Sequence, residues 1–190
     1  MYTYNRLPFL TSERDGSPSL TAADRIERYG LFIQNYGSCW ALDHDDGSSW
    51  YQDYSNVQVY AGAKQSTFAT GGHSKSTFGN LFVYPDLSDL CGGTCATGAG
   101  YENTSVNNTC ITQSAHPYTY QDCDPGRNWS RELPSPLAAG NQFLTSTGNA
   151  SFSCGRTAWT LAEAQAHGYD VGSRVDRTPG LPEIVAIAED

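Results

Sequence analysis

Short stretches in which apolar and polar residues alternate recur along the first half of the chain. Three of them begin at Tyr29, Ser55 and Gly79 and align with one another. Their apolar positions recur at nearly constant intervals in two aligned sets, which are Leu31, Val57 and Leu81, and Ile33, Val59 and Val83. Alternation predicts β-strands, and a strand that recurs at such an interval is typical of a solenoid.

The connections between these strands favour a β-helix among the solenoids. They are rich in Gly and contain no helical pattern, whereas the consensus of a leucine-rich repeat is absent. A β-sandwich with similar strand spacing is the alternative fold. A further coil is predicted at 105–111, where Asn107 and Asn108 are placed to stack as a side-chain ladder on a coil corner. We therefore predict an all-β parallel β-helix.

The whole chain, 1–190, is predicted to be one β-helix domain. The coils lie at about 26–112, the Cys-rich loops at 86–140 and the C-terminal cap at 155–190. In this cap Thr160 and Glu163 form a capping box, and Gly168 marks the end of a short helix. A second short helix is predicted to begin near Pro182. Helices at the end of a solenoid commonly shield the open edge of the last coil.

Composition and charge narrow the range of partners. The net charge is −9, with 11 basic and 20 acidic residues among 190. Such a surface repels phosphate, so nucleic acid and anionic membranes are poor partners, while neutral sugars and Ca²⁺ are well tolerated. No stretch is long and apolar enough to span a membrane. The chain begins without the apolar region of a signal peptide, so we expect residue 1 to lie within a longer precursor.

Cysteines and glycosylation sequons predict an extracellular or cell-surface glycoprotein. Six Cys form an even set that favours disulfides, with the pairing left open: Cys39, Cys91, Cys95, Cys110, Cys123 and Cys154. Cys91 and Cys95 are close enough in sequence to close a small loop. The spacing of the cysteines does not match a zinc site, so structural zinc is not expected. The four sequons place candidate glycans on Asn103, Asn107, Asn128 and Asn149.

The densest group of titratable residues lies between Trp40 and Tyr51. If Leu42 faces the core of a strand, Asp43 and Asp45 point to solvent together, with Cα atoms about 7 Å apart. Two carboxylates at this separation suit an inverting glycosidase, and they also suit Ca²⁺, the one cofactor that we consider. The alternative is that the acidic residues form turns or a structural ladder without catalysis.

The repeat suggests neighbours for this acidic group on the next coil. One coil after Asp45 the chain reaches 69–71, close to His73 and Lys75. His73 is suited to act as acid or base near neutral pH, and Lys75 to bind a substrate carboxylate. The predicted catalytic set is therefore Asp43, Asp45, Asp46, His73 and Lys75. The aromatic residues Trp50, Tyr51 and Tyr54 are candidates for stacking on sugar rings, or half-buried aromatics at coil corners.

Several segments together resemble the right-handed parallel β-helix proteins of the pectate-lyase-like superfamily, and most of all the C-terminal part of large secreted members. These segments are 35–51, 59–62, 72–75, 83–86 and 160–173. The resemblance covers roughly 5–85 and 141–190. In polygalacturonases of this superfamily, an Asp-Asp pair and a later Gly-His motif match Asp45-Asp46 and Gly72-His73 in order, but their Asn-Thr-Asp and Arg-Ile-Lys motifs have no counterpart here.

The resemblance implies an extracellular protein that acts on or binds polysaccharide, and leaves open whether it is an enzyme. If it is one, a polysaccharide hydrolase or lyase is expected. The alternative is a structural glycoprotein of an extracellular fibril or cell-surface layer, assembled by stacking of β-helices without catalysis. The partners expected are a polysaccharide or glycan, and copies of the chain or the rest of a longer precursor.

Overall fold

The chain folds as a parallel β-solenoid with two short helices near its C-terminal end. The computed structural model describes residues 2–3, 24–33, 40–44, 48–65, 74–85, 91, 93–94, 103–120, 138–154 and 157–189. Within these ranges the elements are β1 (Tyr2–Thr3), β2 (Arg25–Arg28), β3 (Leu31–Ile33), β4 (Trp40–His44), β5 (Tyr51–Tyr54), β6 (Val57–Val59), β7 (Gly62–Gln65), β8 (Lys75–Phe78), β9 (Leu81–Val83), β10 (Gly93–Thr94), β11 (Thr104–Val106), β12 (Thr109–Thr112), β13 (Tyr118–Tyr120), β14 (Ala138–Ala139), β15 (Gln142–Thr145), β16 (Phe152–Cys154), β17 (Thr157–Trp159), α1 (Leu161–Ala166), β18 (Arg174–Arg177) and α2 (Leu181–Glu189).

Parallel pairing between successive coils builds the faces of the solenoid. One sheet has five strands in the order β14-β11-β8-β5-β2, and another has six in the order β18-β15-β12-β9-β6-β3. A third face contains β1-β4-β7 and β10-β13-β16-β17, in which β17 is antiparallel to β16. The predicted all-β parallel fold is confirmed. The predicted alignment is confirmed as well, since Leu31 pairs with Val57 and Val57 with Leu81.

One corner of the solenoid repeats the same two-residue turn between the five-stranded and six-stranded sheets. The first residue of the turn has a φ between 52° and 63° in Tyr29, Ser55, Gly79, Asn107 and Gly140. The second residue is an Asn in four coils: Asn56, Asn80, Asn108 and Asn141. Each of these Asn side chains accepts, through Oδ1, the backbone N–H of the matching residue one coil earlier, at 2.8–3.0 Å.

This ladder confirms the coil predicted at 105–111 and separates the roles of its two Asn residues. Asn108 is a buried member of the ladder, and its Nδ2 donates to the backbone oxygen of Thr77 at 3.0 Å. Asn107 instead occupies the exposed first position of the turn. The ladder satisfies backbone groups that the turn would otherwise leave buried without partners, which cost about 1–3 kcal/mol each.

The interior of the later coils is apolar and contains a disulfide. Phe82, Cys110 and Phe143 are Cα partners on successive strands of the six-stranded sheet, and their side chains are buried. Cys110 is disulfide-bonded to Cys91, with a Cα–Cα distance of 5.9 Å. The prediction that a disulfide between Cys91 and Cys95 closes a small loop is therefore wrong, because Cys91 is bonded to Cys110 inside the solenoid. Cys154 is also disulfide-bonded, whereas Cys39, Cys95 and Cys123 lie outside the described residues.

The two helices pack on different parts of the solenoid. Helix α1 begins at the predicted capping box, in which Thr160 and Glu163 exchange hydrogen bonds, and its Ala164 joins the apolar interior together with Trp159. Helix α2 lies on the outer face of the six-stranded sheet, where Ile184 contacts the cluster of Leu81, Val83, Ile111 and Leu144. Neither described helix has the length and apolar character that a membrane span requires.

Candidate functional site

Strand β4 carries the start of the predicted acidic group. Leu42 and His44 are buried and Asp43 is partly exposed, which is the alternation expected for this strand. Asp45, Asp46 and His73 lie outside the described residues. The structure therefore describes two of the five predicted catalytic residues, Asp43 and Lys75.

The neighbour of Asp43 on the next coil differs from the prediction. Asp43 pairs with Lys64 and His44 with Gln65. This interval is shorter than the one from Leu31 to Val57, because the connection from β3 to β4 is longer than that from β6 to β7. The sequence-based prediction placed 69–71, and with it His73, one coil after Asp45. It used the interval from Leu31 to Val57, which is too long for this face of the solenoid.

Lys75 does not lie on an outer face with Asp43. Its side chain is fully buried, and its Nζ donates a hydrogen bond to the backbone oxygen of His44 at 2.9 Å. In β8 the inward side chains are Lys75 and Thr77, and the outward ones are Ser76 and Phe78. The predicted role of Lys75 in binding a substrate carboxylate is therefore wrong, since a polymer in solvent has no access to it.

Lys75 belongs to a polar cluster inside the first coils. His44 Nε2 lies 2.7 Å from Asp53 Oδ2, and the His44 ring stacks on Tyr51 with centroids 3.9 Å apart. Arg25 Nη1 donates to the Tyr51 hydroxyl at 2.7 Å. These contacts join strands β2, β4, β5 and β8. Tyr51 is buried by them, so its predicted role in stacking on a sugar is wrong.

An accessible group of side chains, aromatic except for Arg28, lies on the outer face of the five-stranded sheet and in the turn beside it. We call it the aromatic row; its members are Arg28, Tyr29, Tyr54 and Phe78. Arg28, Tyr54 and Phe78 are Cα partners on successive coils. The rings of Tyr54 and Phe78 stack at 4.7 Å with an interplanar angle of 10°, and Tyr29 meets Tyr54 edge to face at 6.1 Å.

Arg28 is held over this row in a fixed orientation. Its guanidinium carbon lies 5.4 Å from the centre of the Tyr29 ring and 5.9 Å from that of Tyr54. Its Nη1 donates to the Tyr54 hydroxyl at 2.9 Å, and this hydrogen bond raises the pKa of Arg28 above its usual value. The row therefore combines aromatic surface with a permanently charged hydrogen-bond donor.

A polar row runs beside the aromatic row, two positions earlier on each strand. Its members Gln52, Ser76 and Thr104 are Cα partners, and the Thr104 hydroxyl donates to Ser76 Oγ at 3.1 Å. Stacked rings flanked by hydroxyl and amide groups can bind the apolar and polar sides of a sugar at once.

Only part of the aromatic row was identified from the sequence. Tyr54 was among the predicted stacking residues, whereas Arg28 and Phe78 were missed. The signal was present, because the intervals that align Leu31, Val57 and Leu81 also align Arg28, Tyr54 and Phe78. Applying the repeat to the strand before each turn would have found the row.

The described sequons differ in accessibility. Asn103 is fully buried, and its Oδ1 accepts the backbone N–H of Lys75 at 3.0 Å. Asn107 and Asn149 are exposed, and Asn128 lies outside the described residues. A glycan on the folded chain has room at Asn107 and Asn149, whereas at Asn103 it has none.

The described residues contain no group of three or more His, Cys, Asp or Glu side chains that is arranged to hold a metal. Of the predicted calcium ligands Asp43 and Asp45, only Asp43 lies within the described ranges.

No protein-family model, curated protein or solved structure matches the chain. The parallel pairing of the strands supports the resemblance to the pectate-lyase-like superfamily only at the level of the parallel β-solenoid fold.

Proposed function

We propose that this protein is an extracellular glycoprotein that binds polysaccharide through the aromatic row. The observation that carries the proposal is the stack of Tyr54 on Phe78, with Arg28 fixed above it on the outer face of the sheet. Sugar rings have apolar faces that pack on aromatic rings and hydroxyls that hydrogen-bond to neighbouring polar groups. The aromatic and polar rows offer both kinds of contact side by side.

The geometry of the solenoid suits a polymer better than a single sugar. Successive strands repeat the same outward positions about 4.8 Å apart, so a chain that crosses the strands meets the same chemistry at each coil. The polar row extends over β5, β8 and β11, and the aromatic row over β2, β5 and β8. A polysaccharide lying along the solenoid axis would contact each row over three coils, and both rows together on β5 and β8.

Binding is favoured over catalysis by the positions of the two described catalytic candidates. Lys75 is buried, and the coil neighbour of Asp43 is Lys64 in place of a residue near His73. The Cys91–Cys110 disulfide favours the oxidising compartment that the proposal requires, because disulfides persist mainly in secreted proteins. A right-handed, pectate-lyase-like β-helix is the specific architecture that we propose for it.

The test is affinity electrophoresis of the natively secreted protein on neutral and acidic polysaccharides. Tyr54→Ala is expected to weaken retardation about tenfold, or about 1.4 kcal/mol, because it removes the middle ring of the aromatic row and the hydroxyl that holds Arg28. Tyr60→Ala is the matched control, since Tyr60 also stacks on a neighbouring aromatic ring, that of Tyr84, at a different corner. Retardation that is unaffected by Tyr54→Ala, or absent on every polysaccharide, would contradict the proposal.

A carboxylate variant separates binding from catalysis. Asp43→Asn combined with Asp45→Asn is expected to leave retardation unchanged, because the aromatic row contains neither residue. Reducing-end and unsaturated-product assays, run with and without Ca²⁺, measure hydrolysis and elimination. Turnover by the wild-type protein that this double variant abolishes would replace the binding role with an enzymatic one.

The second candidate function is a structural glycoprotein assembled from copies of the chain. A separate observation favours it: exposed large apolar side chains among the described residues gather on the first coil, at Ile26, Tyr29, Leu31 and Ile33, and on helix α2, at Leu181 and Val185. Such exposed clusters are typical of protein–protein contacts.

A further inference from the structure

Beyond Phe78 the outer positions of the aromatic row continue with aliphatic side chains that are smaller than a ring. The matching residues on the next three coils are Val106, Ala139 and Val171, which follow one another in parallel register. Val171 is 52% exposed. The described residues therefore leave an apolar side chain uncovered on this face of the last coil.

The turn beside these positions is open as well. Its first residue is Asn107 on one coil and a glycine, Gly140 and Gly172, on the next two. A Cβ at Gly172 would meet nothing within 4 Å. At the usual spacing of strands, the line of turns from Asn107 to Gly172 is about 10 Å long.

The side chain of Asn107 points along this line of turns. Asn107 is exposed, and its Oδ1 lies over Gly140, where a Cβ would collide with it. Together with Thr109, Asn107 forms a glycosylation sequon. A sugar linked to the Asn107 amide would therefore begin beside Gly140 and have open space ahead of it toward Gly172.

We propose that Asn107 carries an N-linked glycan whose first N-acetylglucosamine residues lie over Gly140 and Gly172 and cover Val171. The glycan is the occupant to expect at this corner, because it is attached one turn away and its attachment point already leans toward the space. Sugar rings have apolar faces, and packing one against Val171 removes apolar surface from water. The absence of side chains at both glycines leaves room for the rings.

The neighbouring sequon has the opposite setting. Asn103 lies on the same coil but is fully buried, and its Oδ1 accepts the backbone N–H of Lys75. A glycan at Asn103 is incompatible with the folded coil, so of these two sequons only Asn107 can be modified in the folded protein.

The inference rests on the extracellular glycoprotein of the proposed function, but it does not depend on polysaccharide binding. The polar row ends at Thr104, on the coil of Asn107, and the aromatic row ends one coil earlier at Phe78. The glycan extends away from both rows, toward the last coil.

Peptide mapping of the natively secreted protein tests the modification. Enzymatic deglycosylation in heavy-oxygen water marks each modified Asn by its conversion to labelled Asp. We expect the label at Asn107 and none at Asn103. An unmodified Asn107 would overturn the inference, and a glycan on Asn149 in the same material would leave the extracellular assignment standing.

Hydroxyl-radical footprinting, read residue by residue by mass spectrometry, tests the contact. Thr109→Val removes the sequon and keeps a β-branched side chain in β12, whereas Thr109→Ser keeps the sequon. Val171 is expected to be oxidised several-fold faster in Thr109→Val than in the wild type or in Thr109→Ser. Val185 of α2 is the matched control, because it is 48% exposed and far from the sequon in the chain, and its oxidation should be equal in all three proteins.

Enzymatic deglycosylation of the folded wild type provides the same comparison if Thr109→Val does not fold. Equal oxidation of Val171 with and without the glycan would overturn the contact. A parallel change at Val185 would overturn it too, because the loss of the glycan would then act on the whole fold.

Discussion

The corner residues show how strongly single positions are constrained by the stacking of coils. Gly79 and Gly140 occupy the same turn position with φ of 61° and 63°. A Cβ at Gly79 would meet nothing within 4 Å, whereas a Cβ at Gly140 would collide with Oδ1 of Asn107 on the coil before. The left-handed backbone conformation alone therefore explains why position 79 is glycine. At position 140 a side chain would also contact Asn107.

This difference predicts unequal effects of the same substitution. Gly79→Ala is expected to lower the free energy of unfolding by about 1 kcal/mol, the cost of the left-handed conformation. Gly140→Ala is expected to cost up to about 1 kcal/mol more, because the exposed Asn107 side chain must turn away from the new methyl group. Chemical denaturation measures both values. The excess at Gly140 should disappear in an Asn107→Gly background, and its persistence there would contradict the collision.

The Asn ladder predicts that buried and exposed Asn residues differ in their contribution to stability. Asn80→Ala removes the acceptor of the Asn56 N–H and the donor to the Asp53 backbone oxygen, and leaves both groups buried. We expect a loss of about 2–4 kcal/mol from the two unsatisfied groups. Asn149→Ala, at an exposed loop position, is expected to change stability by less than about 0.5 kcal/mol. Similar losses for both variants in denaturant titrations would argue against the ladder.

Side-chain direction was the part of the site that the sequence could not reveal. The alignment of Leu31, Val57 and Leu81 was predictable because three strands share one alternating pattern at nearly constant offsets. Strand β8 has no such pattern, since its inward positions are Lys75 and Thr77. Lysine is usually exposed and phenylalanine buried, whereas in β8 Lys75 points inward and Phe78 outward. Lys75 was therefore assigned to the wrong face.

At the scale of the element, the capping box of α1 predicts a pH effect. The Thr160 backbone N–H donates to the Glu163 carboxylate at 2.7 Å, and this bond lowers the pKa of Glu163 below its usual value. A lowered pKa in the folded state stabilises the protein above the unfolded pKa of about 4.3. The stabilisation is lost as the pH falls through the lower, folded-state pKa.

Glu163→Gln tests this effect because it removes the charge and keeps the shape. The wild type is expected to have a higher Tm than Glu163→Gln near neutral pH, and the difference should vanish under acid conditions below the folded-state pKa. Thermal melts of both proteins from neutral to strongly acidic pH provide the measurement. A Tm difference that grows as the pH falls would have the wrong sign for this carboxylate.

The Cys91–Cys110 disulfide predicts how much the later coils depend on a covalent link. It ties the segment that follows β9 to the interior position of β12, at a sequence separation of 19. Replacing both Cys by Ala is expected to cost about 2–4 kcal/mol, mainly because the unfolded chain becomes less constrained. Denaturant unfolding of this variant under non-reducing conditions measures the loss. A stability equal to that of the wild type would show that the apolar interior alone holds these coils.

At the scale of the molecule, the two ends of the solenoid are built differently. At the C-terminal end the ladder finishes on Ser173 and Asp170, whose side chains accept the backbone N–H and the Nδ2 of Asn141 respectively. At the other end the ladder position is Gly30, which has no side chain.

The repeat interval allowed the solenoid to be predicted, but the interval between paired residues differs from face to face because each connection has its own length. A single interval therefore located the coils and misplaced the contacts of Asp43.

This asymmetry predicts the order in which the solenoid opens. In a solenoid each coil is stabilised mainly by its neighbours, and among the described strands β2 and β3 pair on one side only, whereas β15 lies between β12 and β18. Hydrogen exchange followed by mass spectrometry at low protein concentration should therefore show peptides covering 25–33 exchanging well before those covering 142–145. Equal protection of both segments in dilute protein would mean that the first coil is stabilised by more than its pairing with β5 and β6.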